Sequence, residues 1–247
     1  MKLRFDAVSD VGCHRSNNED MILLCRQYLR DEQQQSEREL TSLSRLCAIV
    51  ADGMGGHNGG ELASDLACQS FDTFFHELPD GLDPSALKTA IGQWAHDTHA
   101  SIIRKGKELP GFADMGTTFV GCLIYEMKLY WVNIGDSRLY LFRDGLLRQI
   151  STDHSLRELY HDPNQPSNAI YNSLGAGDTV FADFDELPYF EDDLFLVCSD
   201  GLSDLLPNEV IASLCKQKLP TQAFIEAAKA AGGKDNISVV QMMVCRE

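Results

Sequence analysis

The chain has 247 residues, with 37 acidic against 21 basic side chains and a net charge of −16. That balance excludes the basic face that nucleic acid requires and gives no electrostatic attraction to anionic membranes. The surplus is solvated surface or, in part, carboxylates clustered to hold a metal.

A hydrophobic share of 44% and a charged share of 23% suit a soluble globule that folds without disulfides. The eight cysteines are scattered, none in a CxxC or other short metal-type pair. Most sit in apolar runs, as Cys47 does in LCAIV and Cys198 in LFLVCSD, where a reduced thiol is a small hydrophobe. The N-terminus carries no apolar core of signal-peptide length, and no window approaches the ~18 apolar residues of a membrane span. These features imply a reducing, cytoplasmic setting.

In chain order, alternation of apolar and polar residues over 3–8 predicts a first strand. A polar loop rich in Asn, Asp and Glu follows over 9–20, then a short apolar strand over 21–25. Residues 27–45, with a Gln run at Gln33–Gln35, read as a surface loop or hairpin insertion, partly helical, and not as a site. Residues 46–51 form a buried strand that runs into Asp52-Gly53-Met54-Gly55-Gly56-His57. Apolar residues Leu62, Leu66, Phe71, Phe74, Phe75 and Leu78 make a helical stripe. Asp83-Pro84 offers an N-cap and a first-turn proline for a second helix with Leu87, Ile91, Trp94 and Ile102 on one face. Trp94 is assigned to the core.

Residues 106–111 break the pattern, and strands resume over 117–125, 128–134 and 139–143, the last closing in the hairpin turn Asp144-Gly145. Residues 151–177 are irregular. A buried strand over 194–199 precedes helices over 208–216 and 221–231, the second stopped by Gly232-Gly233, and a strand over 237–245 ends the pattern. This is not a repeating βαβ order. It predicts antiparallel sheets flanked by helices, an α+β layered sandwich in one domain over 1–247.

The acids carry the chemistry. Alone, Asp52-Gly53 reads equally as a turn after a strand and as a carboxylate delivered to a strand mouth beside bare backbone. Asp200-Gly201 repeats the context after a second apolar strand, Asp235 opens the last strand, and Glu19-Asp20 precedes the second. Converging carboxylates repel unless a counter-charge joins them, and oxygen-only ligands select Mg²⁺ or Mn²⁺. Two such ions are the apparatus of phosphoryl hydrolysis. His57, His154 and His161 stand singly and read as structural residues rather than zinc ligands. Arg15 is either a phosphate fork or a surface arginine paired with an acid.

With these residues in view, the chain resembles the metal-dependent protein Ser/Thr phosphatases, the type 2C or PPM family, in their small bacterial form. The resemblance runs from Ser9 to Val240. It rests on RSNNED at 15–20, VADGMGGH at 50–57 and GGE with Ala63-Ser64 at 59–64. MGTT at 115–118, NIGDSR at 133–138 and Asp153-His154-Ser155 follow. Asn172 to Gly175, SDGL at 199–202 and GKDNIS at 233–238 complete the series.

The resemblance implies a four-layer α-β-β-α sandwich of two antiparallel sheets, each covered by a helix pair. It implies two Mn²⁺ or Mg²⁺ ions bridged by Asp52, with the Gly53 carbonyl on one and Asp200 and Asp235 completing the other. Glu19 and Asp20 would act nearby, Arg15 would hold the substrate phosphate, and Asp136 and Ser137 would be structural. A weaker third ion would draw on Asp204 and Asp114. The implied reaction is hydrolysis of phosphoserine and phosphothreonine in proteins by water activated between the two metals, with no covalent intermediate. The implied partners are a bacterial Ser/Thr kinase and its targets, met by a cytoplasmic monomer.

The chain departs from the family at three places. Ala113 stands where the third-metal aspartate is expected, and Asp114 falls one residue late. Met54 replaces a histidine that eukaryotic members carry as a proposed general acid. The segment between His154 and Asn172 is shorter than the family's flap, which predicts a more open site. A catalytically weak, phosphoprotein-binding pseudophosphatase is the alternative of the same fold. It predicts lost ligands, whereas Asp52, Asp200, Asp235, Glu19 and Arg15 are all present. A different two-metal hydrolase is disfavoured by charge and by the motif series.

Overall fold

The computed structural model describes residues 1–55, 59–162, 165 and 169–246. Strands β1 (Lys2–Asp10), β2 (Met21–Leu24), β3 (Gln27–Leu29), β4 (Gln33–Glu39), β5 (Arg45–Ala51) and β6 (Gly53–Met54) precede helices α1 (Gly59–Glu77) and α2 (Pro84–Glu108). Then come β7 (Gly116–Thr117), β8 (Phe119–Tyr125), β9 (Lys128–Ile134), β10 (Arg138–Arg143), β11 (Leu146–Gln149) and the short α3 (Leu156–Tyr160). The chain continues through β12 (Asp183–Glu186), β13 (Leu194–Cys198), α4 (Asp200–Ser203), α5 (Asn208–Lys216), α6 (Thr221–Ala230) and β14 (Ile237–Cys245).

Two six-stranded sheets form, in the orders β11-β10-β13-β14-β1-β4 and β12-β9-β8-β5-β2-β3. Their neighbouring strands pair antiparallel. The central strands are apolar on both faces because both faces are covered. In β5, Cys47, Ile49 and Ala51 point to the core beneath α1 and α2, while Ala48 and Val50 point to the core between the sheets. In β13, Phe195 and Val197 face the inter-sheet core, and Leu194, Leu196 and Cys198 face the layer under α4, α5 and α6. Three apolar layers therefore separate four layers of structure, which is the α-β-β-α sandwich expected. Period-two alternation, with every side chain buried, turns these strands into continuous hydrophobic runs.

Under α1 the packing is aromatic. The Phe71 ring meets Trp94 at 4.8 Å, Phe119 at 5.0 Å and Phe75 at 5.4 Å. Trp94 is 4% exposed and its indole N–H donates to Ser70 Oγ at 3.1 Å, as its core assignment requires. Asp83 caps α2, its carboxylate accepting from the Ala86 N–H at 2.8 Å.

The interruption over 27–45 corrects the expectation of a surface loop or hairpin insertion, partly helical: its two strands join different sheets. It holds β3 and β4, and β4 is an edge strand whose residues alternate between exposed and half-buried. Its polar composition disguises a period of two because only one face meets the protein. Strand β12 and helix α3 also lie where the sequence shows no periodicity.

Register brings the acids together. Met21 pairs with Ala51, so Asp20 and Asp52 leave neighbouring strands at the same end of one sheet. Cys198 pairs with Val239 and Asp10 with Ile237, which carries Asp200, Asp235 and the loop bearing Arg15 to one end of the other.

Candidate active site

At that end lies a cleft of about 250 Å³ lined by Glu19, Asp52, Asp136, Asp200 and Asp235. Arg15 lines it too, the one cationic side chain there among the described residues. Gly53, Met54, Gly55, Thr118 and Ile170 complete the wall. A larger hollow of about 800 Å³ between α1 and α2 includes Phe74 and Trp94 with Glu77 and Asp97 on its rim, and no cluster of acids.

Asp52 is held by its backbone. Thr118 Oγ1 accepts from the Asp52 N–H at 3.0 Å, the Thr118 N–H donates to the Asp52 carbonyl at 2.9 Å, and so does Thr117 Oγ1 at 2.9 Å. Thr118 Oγ1 also bonds Ser137 Oγ at 2.8 Å. The MGTT and GDS motifs thus fix the strand end that carries the carboxylate. At Gly53 a Cβ would meet the Gly60 carbonyl oxygen at 2.2 Å, so only glycine allows α1 to begin there and leaves the backbone bare. Gly201 follows the same logic: a Cβ there would meet the Asn236 carbonyl oxygen at 1.9 Å.

Asn236 ties the loops together. Its Oδ1 accepts from the Glu19 N–H at 2.9 Å, and its Nδ2 donates to the carbonyls of Val11 and Asn17 at 3.0 Å each. Asp20 lies behind the cleft wall at 0% exposure, accepting from Ser199 Oγ at 2.8 Å. Its other oxygen, Oδ1, is buried with no hydrogen-bond partner.

Charge crowding shows in the acids themselves. Burial, then the neighbouring Asp20 and Asp200, raises Asp52 well above the carboxylate range. Burial first and then Asp200 pushes Asp136 up to about 8. Burial and Asp235 push Asp200 up to about 6, and burial pushes Asp20 up to about 7 against the help of its serine hydrogen bonds. Glu19 is raised by burial, against the pull of Arg15. Among the described residues no three His, Cys, Asp or Glu side chains close around one point by themselves. Carboxylates that raise one another in this way repel unless a counter-charge joins them. The donor set fits that cation: carboxylates, one orphaned carboxylate oxygen and a bare glycine carbonyl are oxygen ligands for Mg²⁺ or Mn²⁺.

The expected residues do not all meet there. Arg15, Glu19, Asp52, Gly53, Asp200 and Asp235 line the cleft, with Asp20 directly behind. Asp204 ends α4, its N–H donating to the Asp200 carbonyl at 2.8 Å, and is close enough to raise Asp200. Asp114 is exposed and does not line the cleft. Asp136, expected to be structural, is part of the lining. Met54 folds toward β7, where a Cβ on Gly116 would meet its Cε at 2.9 Å.

His154 is structural: buried at 2% exposure, it bonds Asp183 at 3.1 Å and accepts from the Gly135 N–H at 3.1 Å and Asn172 Nδ2 at 2.7 Å. His161 ends α3 in the left-handed region. Gly56 and His57 lie outside the described residues, as do 163, 164 and 166–168 of the segment between His154 and Asn172. The described part of that segment carries α3, closes with a bridge between Ser155 and Ile170, and sends Ile170 into the cleft wall. Thr118 and Asn236 support the site without carrying charge, and the only signal for them in the sequence is their place inside the MGTT and GKDNIS motifs.

Comparison with known proteins gives the same picture. Residues 37–230 match the family model described as protein phosphatase 2C. The serine/threonine phosphatase Stp of Listeria monocytogenes is 32% identical over 206 residues, covering 78% of this chain and 82% of the relative. PstP of Mycobacterium tuberculosis is 31% identical over 252 residues, 96% of this chain and 44% of that longer protein. Among solved structures, a serine/threonine phosphatase of S. agalactiae superposes with a TM-score of 0.82 at 26% identity, covering 98% of this chain and 99% of the other. The catalytic domain of PstP in complex with two manganese ions gives a TM-score of 0.74 at 29% identity over 100% of both chains. Sequence and fold agree: the chain belongs to the protein phosphatase 2C family of metal-dependent serine/threonine phosphatases.

Proposed function

We propose that the acidic cleft is where this phosphatase hydrolyses phosphoserine and phosphothreonine esters in proteins, with roles that follow from the lining. Asp52, the Gly53 carbonyl, Asp200 and Asp235 would hold divalent metal, with Glu19 and Asp20 adjacent. Bound there, a pair of Mn²⁺ or Mg²⁺ ions supplies a nucleophilic water at neutral pH and offsets the charge of the phosphoryl group. Arg15 binds and orients the phosphate through its planar fork of N–H donors. Met54 has no proton to give, so it shapes the wall and takes no part in proton transfer. The observation that carries this reading is the convergence of Asp52, Asp200 and Asp235, from three separate strand ends, on one cleft with Arg15.

We read residues 1–247 as one catalytic domain acting as a cytoplasmic monomer, opposed to a bacterial Ser/Thr kinase and its targets. Among the described residues no helix is long and apolar enough to cross a membrane. Asp204, beside Asp200, is the residue that would serve a third ion. The position of Asp114 outside the cleft lining gives it no support as a partner.

The test is hydrolysis of p-nitrophenyl phosphate and of a phosphothreonine peptide with Mn²⁺, with and without EDTA, beside Asp52→Ala. Loss of turnover in EDTA and in the variant is expected. Equal rates in wild type and variant would remove the cleft from the reaction.

A further inference from the structure

The motif Gly59-Gly60-Glu61 with Ala63-Ser64 has no role among the metal-facing acids, and residues 27–45 read from sequence as an insertion without a site. The structure joins the two through Arg30, just after β3. Its side chain is 17% exposed and spends its N–H donors on one place. Nε donates to the Asp20 carbonyl at 2.9 Å and Nη1 to Glu61 Oε1 at 3.1 Å. Nη2 reaches the Glu61 carbonyl at 3.2 Å, Ser64 Oγ at 3.1 Å and Asp65 Oδ1 at 2.8 Å. Ser64 Oγ, accepting from Arg30, donates onward to the Glu19 carbonyl at 2.7 Å.

The backbone of Glu19-Asp20 is thereby held by two routes, directly at Asp20 and through Ser64 at Glu19. The opposite side of the same loop is held by amides: the Glu19 N–H donates to Asn236 Oδ1 at 2.9 Å and the Asp20 N–H to Asn18 Oδ1 at 3.1 Å. The loop also presses on the metal-facing glycine, since a Cβ on Gly53 would meet the Glu19 carbonyl oxygen at 2.5 Å. A shift of Glu19 is therefore felt at Gly53 and at the first turn of α1. Without Arg30 the Asp20 carbonyl and Ser64 each lose a donor in a partly buried place, which favours rearrangement of the loop over leaving them unpaired. A lysine cannot reproduce the fork, because its ammonium is a point charge rather than a planar array of N–H groups.

We infer that Arg30 is a positioning residue of the metal site: with Ser64 it sets the height of the Glu19-Asp20 backbone, so that both acids meet Asp52 and Gly53 in register. This rests on the reading of the cleft as a divalent-metal site. It makes the segment between β3 and β4, where the chain passes from one sheet to the other, part of that site's support, touching neither metal nor substrate.

The test is calorimetric titration of EDTA-stripped protein with Mn²⁺, without substrate, for wild type, Arg30→Met, Arg30→Lys, Ser64→Ala and Asp65→Asn, each checked for folding by circular dichroism. Arg30→Met is expected to weaken Mn²⁺ binding about tenfold, the size usual for residues that orient metal ligands, and Arg30→Lys to recover part of it. Ser64→Ala, which cuts one of the two routes, is expected to weaken binding about threefold, the size of one neutral hydrogen bond. Asp65→Asn removes only an ion pair and leaves both routes, so its affinity stays within about twofold of wild type. Folded Arg30→Met with wild-type affinity overturns the inference, and so does Asp65→Asn as weak as Arg30→Met. Should Arg30→Met not fold, Ser64→Ala decides: weakened binding beside an unchanged Asp65→Asn supports the inference, and unchanged binding overturns it. Wild type that binds no Mn²⁺ overturns the metal reading itself and this inference with it.

Discussion

The Arg15 guanidinium and the Asp235 carboxylate meet at 2.7 Å within the cleft, joining the residue assigned to phosphate with a residue assigned to metal. Their side chains are 50% and 37% exposed, so the pair is solvent-screened and contributes at most about 1 kcal/mol. It is easily exchanged for better partners. Arg15→Ala is therefore expected to leave Tm almost unchanged and to raise KM for a phosphothreonine peptide about tenfold or more, the cost of one charge-assisted contact. Steady-state kinetics check it, and an unchanged KM with an unchanged kcat would leave Arg15 a surface residue. Arg15→Lys restores only part of the loss, because the bidentate fork is gone.

The crowded acids make the metal-free protein pH-sensitive. Asp200, Asp20 and Asp136 hold their protons to about 6, 7 and 8 in the fold, against an ordinary value of 3.8. The folded state thus binds more protons than the unfolded chain between about pH 4 and 8. Their contribution to stability is fully present below about pH 4 and is lost as pH rises through these values. Thermal melts in EDTA should show Tm falling from pH 5 to pH 8. Saturating Mn²⁺ should flatten or reverse the slope, since metal binds the ionised carboxylates. A Tm that rises with pH in EDTA would contradict the crowding.

Met54 lines the cleft but carries only a thioether, which donates no proton. Met54→Ala is expected to change kcat by less than about threefold, well short of the hundredfold or more that follows loss of a general acid. A hundredfold fall in kcat with normal Mn²⁺ binding would give this side chain a role that its chemistry does not explain.

The aromatic layer under α1 governs stability and not chemistry. Phe71 is fully buried against Trp94, Phe119 and Phe75. Phe71→Ala should cost about 3–5 kcal/mol by removing apolar contact and leaving a cavity. At roughly 2–4 °C per kcal/mol for a chain of this size, a melting curve reads the loss directly. Specific activity per folded molecule at low temperature should stay near wild type.

Much of the site is legible in the residues because Asp52 and Asp200 each end an apolar strand and precede a glycine that only close backbone approach requires. The strands themselves are legible where both faces are buried, as in β5 and β13. Strand β4 is hidden because its QQQSERE alternates only in exposure, not in polarity. Helix α3 has five residues, too few for a helical period. The role of Arg30 is hidden for another reason: its partners Glu61, Ser64 and Asp65 lie 31 to 35 residues away, and only the packing of α1 on the loop before β2 brings them near. The third-metal expectation divides in the same way. Asp204 follows Asp200 on one helical turn and stays beside it, whereas Asp114 depends on a loop that leaves it exposed.

Asp52 would hold both divalent ions for phosphoester hydrolysis, and the stoichiometry of Mn²⁺ binding to the EDTA-stripped protein, wild type beside Asp52→Asn, tests this directly. Two ions bound by wild type are predicted, with both lost or severely weakened in Asp52→Asn and with phosphothreonine-peptide hydrolysis reduced about a thousandfold, the several kcal/mol that metal charge supplies. Two ions bound equally well by Asp52→Asn, with turnover intact, would contradict it.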